Sequence, residues 1–333
     1  MIAGRRMGPS YGAPNGAASV REALRVLRDS GLERAVAGAP LEVQSRGDDP
    51  PRLESATPIE GSAIAVRCVP DAPIAGVRAF LDGIQRSQVL AHAGTVPIVY
   101  GAVAAAIRER TDRRLRTWDR PRVSQALYAP LGMLDPALAE ALRARFTVVD
   151  PFSDDPAIGA VSRHPLECTA RALTAVHRAR EAAESALITE WVRRGDGPLL
   201  VDGGISGNAD GARHPGIIGV VKSHRTLYAG DAVLPLVLGL REGERTTAVT
   251  VSSPRRSPVA SWYLRLREPA GRSPLFGLVR VEVALQEGLT ARADLVSRWL
   301  LAERAPVALP DQRWDVMVYG IRECEQYLTA ILR

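Results

Sequence analysis

From Val77 to Ile107 the chain reads VRAFLDGIQRSQVLAHAGTVPIVYGAVAAAI, apolar or alternating runs split by turn residues. The pattern predicts an antiparallel meander of three strands, the last running into a small-residue segment. The arginine-rich RERTDRRLRTWDRPR that follows reads as a helix or loop. A mixed segment comes next, then a helix opened by Asp135-Pro136 and a short strand, TVVD. The longest helical pattern runs from about His164 to Arg194 and gives way at once to a strand, GPLLVDGG. After the loop ISGNADGARHPG, the run IIGVVKSH predicts another strand. The remainder alternates strand-like pieces (TTAVTVSS, ASWYLRLRE, FGLVRVEVAL) with two C-terminal helices, DLVSRWLLAERA and DVMVYGIRECEQYLTAILR. Antiparallel strands followed by helices and further strands suit an α/β fold, a mixed β-sheet flanked by helices. Residues 1–70 break the pattern with a Gly/Pro-rich start, one helix (SVREALRVLRDSGLERAVAG) and a polar stretch. They are expected to form an N-terminal extension, helix plus linker, ahead of one domain over 71–333.

Composition narrows the class. The 333 residues are 46% hydrophobic and 24% charged, and no run approaches the roughly 20 apolar residues of a spanning helix, so a soluble protein without a membrane partner is expected. The start MIAGRRMGPSYGAPNGAAS has two arginines and no apolar core behind them, which predicts a cytoplasmic location. Cys68, Cys168 and Cys324 are widely spaced, which argues against a disulfide framework or zinc cluster. A net charge of +6 favours an anionic partner, nucleic acid among them. Of the 43 basic side chains one alone is lysine, Lys222, so that position stands out as needing a compact ammonium.

Candidate chemistry sits at strand ends. Asp82 closes the run Val77–Leu81 and precedes Gly83; Asp202 closes Leu199–Val201 and precedes Gly203-Gly204. Two such carboxylates, each beside glycine that admits a ligand, suit a hard cation. On a helical wheel at about 100° per residue, Glu184 falls within about 20° of Leu173, His177 and Trp191, the stripe that faces the protein. A carboxylate there needs neutralising, by Arg180 one turn back or by a metal. Glu181 is the alternative third ligand. Three carboxylates would attract Mn²⁺ or Mg²⁺, which activate water and offset charge on a phosphate being cleaved. Lys222 and His224 lie where they could reach that phosphate. Arg108, Arg110, Arg113, Arg114, Arg116, Arg120 and Arg122, with Trp118 among them, could grip a nucleic-acid backbone and stack a base.

FLDGIQRS (80–87), the helix bearing RAREAAESAL (178–187), PLLVDGGISG (198–207) with GVVKSH (219–224), and SWYLRLRE (261–268) with LVRVEVA (278–284) together resemble the NurA nuclease family over about residues 75–333. The resemblance implies an RNase H-like core and a deoxyribonuclease dependent on Mn²⁺ or Mg²⁺. It also implies a homodimer docked on a HerA-type hexameric ATPase, in double-strand-break repair or antiviral defence. Metal-ligand roles then fall on Asp82, Glu184 and Asp202. Two departures stand out: Ile84 follows Gly83 where the family commonly has serine, and RWDVMVYGIRECEQYL (313–328) lacks the family's histidine. Tyr319 stands in for the family's tyrosine, and Arg322 or Glu323 falls where the histidine is expected. A NurA-like subunit that binds DNA or the motor ring without cutting is therefore the alternative. An ATP-binding enzyme of the actin-like and sugar-kinase type, using Asp202-Gly203-Gly204 as a phosphate loop, is a third reading.

Overall fold

The computed structural model describes residues 19–36, 51–112, 114–153, 164–254, 256–304 and 314–332. The chain divides into two compact units, one comprising Met1–Gln44, Gln85–Val103 and Val123–Ala179, the other Ser45–Ile84, Ala104–Arg122 and Arg180–Arg333. Strands β4 (Ala79–Ala93), β5 (Val96–Thr111) and β6 (Arg114–Tyr128), and helix α3 (Pro165–Arg194), each contribute a stretch to both.

In the first unit, helix α1 (Val20–Asp29) begins where the Ser19 hydroxyl accepts a hydrogen bond from the Glu22 amide at 3.3 Å. Its Ala23, Val26 and Leu27, spaced for one helical face, pack among Leu90, Ile98, Leu127 and Leu142. Helix α2 (Pro136–Arg143) is set by Asp135, whose carboxylate accepts from the Ala137 and Leu138 amides at 2.9 and 3.2 Å, with proline at the first position. The short strand β7 (Val148–Val149) pairs in parallel with the end of β6.

The second unit holds the larger sheet. Short strands β1 (Arg52–Leu53), β2 (Thr57–Pro58) and β3 (Val66–Cys68) precede β4. After α3 come β8 (Leu199–Asp202), α4 (Ala209–Arg213), β9 (Ile217–Val221), β10 (Thr226–Leu227) and α5 (Gly230–Leu238). The chain ends with β11 (Glu244–Thr246), β12 (Val249–Val251), β13 (Val259–Arg265), β14 (Leu278–Val283), α6 (Leu289–Glu303) and α7 (Tyr319–Ile331). The sheet order is β2-β12-β13-β14-β9-β8-β4-β5-β6, with β11 between β13 and β3 and a separate β1-β10 pair. Strands β9, β8 and β4 are mutually parallel, while β14, β13, β12 and β2 continue antiparallel. The fold is thus α/β with a mixed sheet flanked by helices. The parallel strands read as unbroken apolar runs because both faces are covered. Phe80, Leu200, Ile218 and Val220 meet α6 and α7 through Val296, Leu300, Ile321 and Cys324. Their sequence neighbours Leu81, Leu199, Val201 and Ile217 point the other way, onto Leu187, Ile188 and Trp191 of α3.

Several expectations change. Val77–Ile107, expected as three strands, holds β4 and most of β5, because Gly83 and the polar residues after it stay in extended strand and the chain turns only at Gly94. Asp82, expected to close its strand, therefore lies near the start of β4. The arginine-rich segment after Ile107 is neither helix nor loop: it is the end of β5 and the start of β6, joined by a connection short enough only for a hairpin. Its arginines alternate at strand spacing, so Arg108 and Arg110 share a face and meet Glu323 and Glu303 there. The stretch 51–70, expected as a polar linker, supplies β1–β3 to the second unit. Glu60 from this stretch is buried against Arg245, whose fully buried guanidinium also pairs with Asp294 of α6. The segment ISGNADGARHPG, read as loop, contains α4, whose first turn is fixed by the Asn208 side chain accepting from the Gly211 amide at 2.6 Å. Among the described residues, no helix is long and apolar enough to cross a membrane.

Candidate functional site

Parallel pairing of β4 and β8 sets Leu81 opposite Val201, so Asp82 and Asp202, one residue further on, lie side by side on the same face, Asp202 as the last residue of β8 and Asp82 near the start of the longer β4. A further step across the sheet, Asp202 lies opposite Val220 of β9. Lys222, two residues beyond Val220, shares its face, and the Lys222 ammonium reaches the Asp202 carboxylate at 2.8 Å. Strand register therefore brings an acidic pair and a cation together from segments far apart in the chain.

Glu184 arrives from α3, on the opposite side of the sheet. It is buried, as the wheel position among Leu187, Ile188 and Trp191 requires, whereas Glu181 is exposed. Its carboxylate lies against the backbone of Gly83, close enough that a Cβ at that position would sit 2.2 Å from Oε1. Glycine here is thus a steric requirement: it clears the face of β4 where Glu184 comes alongside. Arg180, one helical turn back, is ion-paired with Glu184 and also points a guanidinium nitrogen at the Gly83 carbonyl, 3.4 Å away.

Each carboxylate has its own partner. Asp82 accepts from the Gly83 amide at 2.7 Å, Glu184 is held by Arg180, and Asp202 by Lys222. Among the described residues no three acidic, histidine or cysteine side chains are already gathered at metal-ligand geometry. The electrostatics nonetheless reveal crowding. Burial, then the charge of Asp202, push the Asp82 carboxyl up to about 8, with Lys222 pulling it down and Glu184 raising it further. Burial likewise carries Glu184 up to about 7 against the pull of Arg180, with Asp202 and Glu181 adding to the rise. Three carboxyl groups brought together from two strands and a helix are the hard oxygen donors that suit a divalent cation. In comparisons with known proteins, no family model and no curated protein matches this chain.

The remaining candidates lie elsewhere. His224 points its Nε2 at the Leu278 carbonyl, 2.8 Å away, beside the Tyr263 ring, and burial holds its pKa below the usual value. Tyr319, at the start of α7, is exposed and close enough to Arg110 to act on its charge. Next to it, Gly320 packs on the Phe80 ring, and further along α7 the Cys324 thiol donates to the Phe80 carbonyl at 3.3 Å, behind Asp82. Of the basic set, Arg108 is engaged by Glu323 at 2.7 and 2.9 Å and stacks over Tyr327, and Arg110 is held by Glu303 at 2.6 and 2.7 Å. Trp118 packs edge-to-face on Trp191 with Arg194 over its ring. Arg122 is ion-paired with Glu190. Arg114, Arg116 and Arg120 on β6 are exposed, and Arg113 falls outside the described residues.

One structural support was missed at the sequence level. Glu282 of β14 is buried and accepts from the Ile205 amide at 2.8 Å, which pins the turn after Asp202. Gly204 lies so close that a Cβ there would meet the Glu282 carboxylate at 2.9 Å. Arg280, two residues earlier on the same strand face, neutralises Glu282 at 2.6 Å. The signal was available: two opposite charges at strand period inside the apolar run LVRVEVA.

Proposed function

We propose that this chain is a divalent-metal-dependent phosphodiesterase acting on DNA, a nuclease of the NurA type built on an RNase H-like arrangement. The observation that carries the reading is the register match of Asp82 and Asp202 on neighbouring parallel strands, with Glu184 seated on Gly83 beside them. Asp82, Asp202 and Glu184 would hold Mn²⁺ or Mg²⁺, which when bound supplies an activated water and a counter-charge for the scissile phosphate. The chain's own contribution is placement. Glu282 holds the turn that aims Asp202, Arg180 aims Glu184, and Lys222 offers the cluster's one ammonium to a phosphate oxygen. The exposed arginines Arg114 and Arg116 would meet the DNA backbone. A homodimer and a HerA-type hexameric ATPase as partner belong to the same reading and rest on the family resemblance alone.

A second reading, a subunit that binds DNA without cutting it, is favoured by one observation. Glu323, which falls where the family's histidine is expected, is committed to Arg108. Labelled single- and double-stranded DNA incubated with the protein and Mn²⁺ separates the two. Cleavage that both Asp82→Ala and Asp202→Ala abolish supports the nuclease; retention of DNA without cleavage supports the binding subunit. Cleavage that survives both substitutions rejects the carboxylate site altogether.

A further inference from the structure

Every basic side chain but one is arginine, and the exception touches the acidic cluster. That contact differs in kind from the buried ion pairs of this protein. Arg245 is wholly buried and forked onto Glu60 at 2.7 and 2.8 Å, a grip that leaves no room for replacement. Lys222 makes one contact through a point charge on a flexible stem, just past the end of β9, and its side chain and that of Asp202 keep 26% and 30% of their surface open. An ion can enter there and the ammonium can leave. Charge balance gives the exchange a direction. Three carboxylates meet two single charges here, those of Arg180 and Lys222, so a metal that holds all three as carboxylates finds them one positive charge short. A divalent ion in place of the ammonium makes up that shortfall.

We propose that Lys222 is the resident cation of the carboxylate cluster, exchanged off Asp202 when a divalent ion enters. The inference rests on the metal-dependent reading above and adds how the site is filled: the metal competes with an internal ammonium, which it turns loose next to the place where the substrate phosphate would lie. An arginine at this position would fork onto the carboxylate and resist exchange, which accounts for the retained lysine.

The sequence supplies its own reporter. Reductive methylation with ¹³C-formaldehyde keeps the positive charge and labels one side chain, Lys222, besides the terminal amine. In a Mg²⁺ titration of the labelled full chain, the dimethyl-lysine cross-peak should move saturably, with the midpoint that calorimetry gives for Mg²⁺ binding. It should end near the position found in metal-free Asp202→Asn protein, where the peak should not respond to Mg²⁺. Lys222→Met should bind Mg²⁺ roughly fivefold more tightly at about pH 9, the upper range for relief of a partly exposed ion pair. Calorimetric Mg²⁺ binding with a stationary lysine peak, or Lys222→Met affinity no higher than wild type, overturns the exchange and leaves the metal site standing. Absence of any Mg²⁺ or Mn²⁺ binding removes both.

Discussion

Raising the pH of the metal-free protein should weaken the unit that carries the carboxylates. Asp82 ordinarily ionises near 3.8 but is carried to about 8 in the folded chain, chiefly by burial and then by Asp202. Between those values the folded state keeps a proton that the unfolded chain has already lost, so stability falls as pH rises through the window and is fully present only below it. One retained proton changes stability by about 1.4 kcal/mol per pH unit, so moving from about pH 6.5 to 8 should cost about 2 kcal/mol. Glu184, carried to about 7, adds to the loss at the lower edge of that range. His224 works in the opposite sense, since its lowered pKa removes stability as pH falls below its ordinary value of 6.5, under the range from pH 6.5 to 8 that is compared. Tryptophan fluorescence is a suitable probe because all five tryptophans belong to the unit containing the site. Urea unfolding with a chelator present should give a midpoint that drops from pH 6.5 to 8. Asp82→Asn, neutral throughout, should flatten the profile and exceed wild type at the alkaline end. Saturating Mg²⁺ should restore the wild-type midpoint at pH 8, because it binds the ionised carboxylates of the folded state. A wild-type midpoint that is level across the window, or an Asp82→Asn protein with an undiminished slope, would refute the crowding argument.

Other substitutions test separate parts of the geometry. Gly83→Ala puts a methyl group where the Glu184 carboxylate lies, so Mn²⁺-dependent cleavage and calorimetric metal affinity should both fall at least tenfold while circular dichroism stays unchanged. Glu60→Ala strands the buried Arg245 guanidinium beside Asp294 alone and should cost about 3–5 kcal/mol in urea unfolding. Combined Arg114→Ala and Arg116→Ala should lower DNA affinity and reduce the salt-dependence slope by about 2, with no loss of stability. Arg110→Ala should do the reverse, because its charge already belongs to Glu303: the thermal midpoint drops and the salt slope stays as in wild type.

Elements with one dominant period were legible in the sequence. The 30 residues of α3 announce themselves by a helical stripe that put Glu184 at its middle and left Glu181 as an alternative, which the structure shows to be exposed. The Asp-Gly pairs of β4 and β8 were visible because an apolar run stops abruptly at a charge, but only β8 ends there, since β4 continues through Gly83 to Ala93. What could not be read is which strands lie side by side. Nothing in FLDG or LLVDGG states that Leu81 will stand opposite Val201, because parallel register is decided by helices packing on both faces rather than by a local turn. The arginine-rich hairpin failed for a related reason. Charges at alternate positions look solvated until their partners are known, and Glu303 and Glu323 lie almost 200 residues or more away, at separations of 193 and 215. The 51–70 stretch reads as polar linker for the same cause: Glu60 is a buried residue only because Arg245 is there to meet it.

These distant pairings separate two uses of charge in one sheet. Arg245, Arg280, Arg108 and Arg110 are each matched by a carboxylate and hold strands and helices together, and their ion pairs are largely shielded from water. At Asp82 and Asp202 the pattern differs: Asp82 is buried and accepts from the Gly83 amide, with Asp202 and Glu184 near enough to raise its pKa and Lys222 to lower it. Burial without a counter-ion works against stability, and the same chain pairs its buried acids Glu60, Glu184, Glu282 and Glu303 each with an arginine. A fold that meets four buried acids with arginine leaves its least compensated one, Asp82, at the place where β4 and β8 bring two carboxylates together, and that is the place proposed for the metal.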